Sequence, residues 1–102
     1  MSTSNRVPMK IAAKSEPAKV AGAIASTFKD LRTDGKNPVA YKIAVVGIGA
    51  AACNQMCKAF AIAKQYVASS NMRLTLDIGF KDLVIQEEER TALEFLVGME
   101  EA

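Results

Sequence analysis

The chain has no histidine, no tryptophan, two cysteines and three prolines among its 102 residues. Without an imidazole, nucleophiles such as Ser15 or Cys53 lack the usual neutral-pH base. Cys53 and Cys57 stand four apart on an expected helix, in poor geometry for a mutual disulfide. With no third cysteine and no histidine they also lack the partners a zinc site needs, so they read as small apolar side chains in a reducing compartment. The acids Glu87, Glu88 and Glu89 fall in an expected turn and read as solvated. No catalytic residue, metal or cofactor is therefore expected. No apolar run approaches the ~20 residues that span a bilayer. Met1 to Lys10 has no apolar signal core, so a cytoplasmic protein without membrane contact is expected. Aromatics make up 6% of the chain. Tyr41, Tyr66, Phe28, Phe60, Phe80 and Phe95 are expected mostly in the core, which leaves little for stacking on nucleic-acid bases.

What is present suits one domain. Half the residues are hydrophobic, enough for a core without disulfide or metal staples. We expect a flexible lead over residues 1–6, frayed over Met1 to Asn5, a single domain over 7–99 and a solvated acidic tail over 100–102. The chain is organised around Val39 to Ser70. An apolar, β-branched run (Tyr41, Ile43, Val45, Val46) breaks at Gly47-Ile48-Gly49 and resumes as an Ala-rich segment with helical spacing. That is strand, tight turn, helix.

The flanking segments extend the pattern. Val7, Met9, Ile11 and Ala13 alternate with other residues and predict a strand on which Lys10 and Lys14 share a face. Ser15 is an expected N-cap for a helix from about Glu16 to Arg32, closed by Asp34-Gly35. A second strand is expected over Val39 to Val46 and a second helix over Ala50 to Ala68. Cys53, Met56, Cys57, Phe60, Ala63 and Val67 form one stripe of that helix, but its opposite side is also rich in alanine. A helix so apolar all round calls for cover on more than one side, which suggests a second subunit. Met72 to Phe80 and Thr91 to Met99 alternate as strands. Leu83-Val84-Ile85 is a short apolar piece that could extend the first of them, and Gln86 to Arg90 a charged turn. The order β-α-β-α-β-β predicts an α+β two-layer sandwich. Its four-stranded mixed sheet carries both helices on one face.

Charge is unevenly placed. Up to Arg73 there are eleven basic residues and three acids; beyond it there are two and eight. Such asymmetry points to a polyanionic partner for the first part of the chain. Lys10, Lys14, Lys19 and Lys58 are expected near the two strand-to-helix turns, where backbone amides at helix N-termini add phosphate donors. Lys42 is expected on the open sheet face. Gly47-Ile48-Gly49-Ala50-Ala51-Ala52 also fits the G-x-G-x-x-A pattern of dinucleotide-binding turns. The chain is short for a full doubly wound sheet, and the plainer reading is that Gly47 and Gly49 permit a tight structural turn.

Three stretches carry a family resemblance over about Met9 to Val97: KIAAKSEPAKVAGAIAS, IGAAACNQMCKAFAIAKQYV and EEERTALEFLV. Together they resemble the stage V sporulation protein S family, which is similar in fold to Alba, a small dimeric chromatin and RNA-binding protein. The resemblance implies an Alba-like sandwich, a homodimer, a non-enzymatic regulatory role in sporulation, and contact with DNA or RNA at low sequence specificity. Lys14 and Lys10 match lysines that Alba uses near its first helix. Two departures stand out. The link between the last strands holds Lys81 with Asp82 and Glu87 to Glu89, where Alba has a basic loop. Ala50 or Ala51 also stands where Alba carries an arginine after its turn glycine. Two other functions fit the residues: a protein-interaction module, suggested by the acidic second part, and a nucleotide or small-molecule sensor at Gly47 to Ala52.

Overall fold

A computed structural model describes residues 5–102, and all structural statements concern these. Strand β1 (Arg6–Lys10) is followed by helix α1 (Pro17–Thr33), strand β2 (Lys42–Gly47), helix α2 (Ala50–Val67), and strands β3 (Met72–Ile85) and β4 (Glu88–Glu101). Short 3-10 turns at Pro38–Ala40 and Ala68–Ser70 lead into β2 and out of α2. The sheet order is β1-β2-β4-β3. β1 and β2 are parallel, while β4 is antiparallel to both β2 and β3. The α+β two-layer sandwich expected from the alternation is what the chain forms.

At the expected lead and tail the strands reach one or two residues further than the sequence pattern places them. Met1 to Ser4 lie outside the described residues. Asn5 donates its side-chain amide to the Ala40 carbonyl at 3.2 Å, β1 opens at Arg6, and β4 runs to Glu101.

The helix-facing side of the sheet follows the period-two pattern. Ile43 and Val45 of β2 lie beside Val97 and Phe95 of β4, all essentially inaccessible to water. α1 adds Ala21, Ile24, Phe28 and Leu31, spaced at three and four residues along one stripe. α2 adds Ala52, Met56, Ala59, Ala63 and Val67. The small residues at 52, 59 and 63 let α2 sit close to the sheet and to α1. No polar or charged residue is buried in this core.

Several element boundaries differ from expectation. β1 stops at Lys10, although Ile11, in phase with Val7 and Met9, is buried and its amide still donates to the Val46 carbonyl at 3.0 Å. Lys14 thus leaves the strand and stands in the β1–α1 loop. Ser15 does not cap α1. Its Oγ accepts from the Ala12 amide at 2.9 Å and closes that loop, leaving Glu16 as the capping residue without a side-chain bond. β3 continues without interruption through Gly79 to Ile85, paired to β4 down to Ile85 opposite Glu88. The turn is just Gln86 and Glu87, both with positive φ (51° and 67°).

Candidate functional site

The strand directions fix one end of the molecule as special. β1 and β2 run parallel, and a helix returns over the sheet after each, so α1 and α2 begin side by side at the same end. β3 points the same way as β2, since both are antiparallel to β4. Gly47, the last residue of β2, pairs with Leu93, which pairs with Phe80. Lys81 to Ala92 therefore continue past the sheet body as a two-stranded arm, from the end where both helices start.

The two strand-to-helix turns are locked together. A Cβ added at Gly47 would come within 2.8 Å of Ile11 Cγ2. Glycine here is what lets the β1–α1 loop pack against the end of β2, and Ile11 already fills the space behind the turn. Gly49 has φ +91°, in the region that favours glycine, and gives α2 its start. The Gln55 side-chain amide donates to the Ala13 carbonyl at 3.0 Å, tying the loop to α2. The first intrahelical bond of α2 runs from the Cys53 amide to the Gly49 carbonyl (3.2 Å). The amides of Ala50, Ala51 and Ala52 precede it and have no partner within the helix; Ala50 and Ala51 are exposed, whereas Ala52 is buried.

The four singled-out lysines divide between two layers. Lys10 ends β1, alternating with Val7 and Met9, which pack on the core, so it lies on the open sheet face. Lys14 is exposed in the adjoining loop. Lys19 is exposed on the first turns of α1, with its Nζ 3.3 Å from Glu16. Both partners are largely solvated, so this pair is weak and leaves Lys19 free to reorient. Lys58 stands apart: it is exposed in the helix layer, two turns into α2 and across the sheet from Lys10.

The open face adds three more cations, two of which already share an acid partner. Glu94 sits between Arg6 (3.6 Å) and Lys81 (3.3 Å). Lys42 lies across Gly98 and Thr75, in the space a side chain at position 98 would need. A groove of about 700 Å³ runs between the end of β1 and the base of the arm, with Pro8, Lys10, Val46, Lys81 and Leu83 among its walls. Beyond it, the arm tip carries Asp82, Glu87, Glu88 and Glu89 against Lys81 and Arg90.

Two features escape the sequence reading. At the far end, Lys29 and Arg32 of α1 line a cleft of about 270 Å³ with Tyr66 of α2, a meeting of two helices that neither segment's periodicity encodes. The second concerns aromatics. Tyr66 and Phe80 were expected in the core, yet both are exposed, Phe80 at 82%. Phe80 lies beyond the reach of the helices, so alternation alone does not bury it.

Among the described residues, no three histidine, cysteine, aspartate or glutamate side chains converge on a possible metal position. No helix among the described residues is long and apolar enough to cross a membrane.

These features define a small two-layer α+β protein whose conspicuous end is built from loops, helix starts and an arm rather than a closed catalytic cleft. The family model for stage V sporulation protein S (SpoVS) matches residues 7–100, nearly the whole chain. The chain belongs to that family, a family of sporulation regulatory proteins.

Proposed function

We propose that this protein acts by binding rather than catalysis, as an Alba-like homodimer in the cytoplasm that contacts the phosphates of DNA or RNA with little base readout. The observation that carries the reading is the pairing of β1 with β2, which sets both strand-to-helix turns at one end. Lys10 and Lys14 lie at that end, where α2 also begins with amides that have no partner within the helix. A polyanion threaded across that end meets mobile ammonium groups, fixed amide donors and one acid on the β1–α1 loop, Glu16. Lys19 extends the same surface along α1. Lys58, in the helix layer, lies outside this surface and would be reached only by a ligand that wraps around the end.

The test is a titration of duplex DNA and of RNA with the natural chain and with Lys14→Glu. The charge reversal should weaken binding several-fold, uniformly across sequences. Equal affinity of the two chains, or no binding at low ionic strength, removes the proposal.

The acidic arm tip favours a second reading, a dimer that docks on another regulatory protein. A stoichiometric protein partner recovered after nuclease treatment would support it; nucleic acid recovered alone would count against it. A nucleotide sensor at Gly47 to Ala52 has less support, because Ile11 occupies the space behind the turn.

A further inference from the structure

β3 is the outermost strand of the sheet, fourteen residues long. Its outer edge pairs with no strand among the described residues. Its side chains there include Ile78 (52% exposed), Phe80 and Val84, large apolar groups in water. A long, apolar, unpaired edge is unusual in a protein that stays single. The other edge strand, β1, has five residues and is interrupted by Pro8, a common way of blunting an edge.

We propose that β3 is the seam between two copies of this chain, paired antiparallel with Gly79 opposite Gly79 at the two-fold axis. The inference rests on the dimer reading above and locates it. In this register, Arg73 to Ile85 of one copy pair with Ile85 to Arg73 of the other, with complementary pairs nearest the axis. On the open face, Asp77 meets the partner's Lys81, and Lys81 meets the partner's Asp77. On the other face, Ile78 meets the partner's Phe80 and Leu74 meets the partner's Val84. Leu76 faces Asp82 and Arg73 faces Ile85, pairs in which the charged member can reach solvent.

Charge selects this register. Asp77 makes no ion pair among the described residues, while Lys81 shares Glu94 with Arg6. Sliding one copy by two residues, the smallest step that keeps each face together, sets Lys81 against Gly79 or Thr75. The same step sets Asp77 against Leu83 or Gly79, and both ion pairs vanish. Glycine at the axis keeps the strands close, and open space surrounds its missing side chain. The arm of each copy would then lie along the sheet body of the other. Its exposed apolar residues gain cover, and the two four-stranded sheets join into one.

The seam is tested by sedimentation equilibrium of the full chain, with variants. Lys81→Asp sets four carboxylates around the axis and should weaken association by about tenfold or more. Adding Asp77→Lys to it exchanges the charges and should restore association. Independently, Gly79→Cys should cross-link as a dimer under mild oxidation, whereas the natural chain and Thr91→Cys, on the other arm strand, should not. If the natural chain sediments as a single copy at all concentrations, the dimer reading fails and this seam with it. If it dimerises but Lys81→Asp has no effect and Gly79→Cys gives no cross-link, the dimer stands and the β3 seam is overturned.

Discussion

Gln55 shows how one side chain positions the proposed site. Its Nε2 holds the Ala13 carbonyl, while its Oε1 is buried without a partner. Gln55→Ala removes one hydrogen bond and one unsatisfied acceptor together, so the net loss of stability should be about 1 kcal/mol or less by urea unfolding. The loop carrying Lys14 should loosen more than the whole, read as faster amide exchange over Ala12 to Glu16. The cysteines give a second residue-scale test. Burial first, then the neighbouring Cys57, push the Cys53 thiol above its ordinary range. A raised thiol has less thiolate at any given pH, so alkylation at pH 8 should modify exposed Cys57 first and half-buried Cys53 more slowly. Mass spectrometry of peptides taken over time would show the order; equal rates would contradict it.

At the scale of elements, the helices and the strand faces were legible in the sequence, because they bury one side. Val20-x3-Ile24-x3-Phe28-x2-Leu31 had no other economical reading than a helix stripe, and Ile24 and Phe28 are core. Phe28→Ala should cost about 3–5 kcal/mol in unfolding free energy. The arm was not legible. Lys81 and Asp82 interrupt the apolar alternation after Phe80 and leave Leu83 to Ile85 as a separate apolar piece, yet pairing with β4 carries β3 through them. Its turn also lacks the Asn-Gly or Asp-Gly signature of a two-residue hairpin. Gln86 and Glu87 both take positive φ without being glycine. Glu87→Gly should therefore stabilise the hairpin by about 1 kcal/mol, visible as a higher urea midpoint with an unchanged slope. The lysine constellation was legible as a list but not as a surface. β1 ends at Lys10 and Lys58 lies in the other layer, and both depend on packing that local periodicity does not encode.

For the whole molecule, one topological fact organises the account. Two parallel strands, each followed by a helix, put Lys10, Lys14, Lys19 and the amides of α2 at the end from which the acidic arm projects. On the two proposals, the arm's apolar edge and the basic end would serve different partners, a second copy and a polyanion. The most direct test of the polyanion claim is the slope of log binding constant against log salt for duplex DNA. A surface of phosphate contacts predicts a steep fall in affinity as salt rises, with Lys14→Glu shallower by about one contact. A flat dependence, or the same slope for both chains, would contradict it.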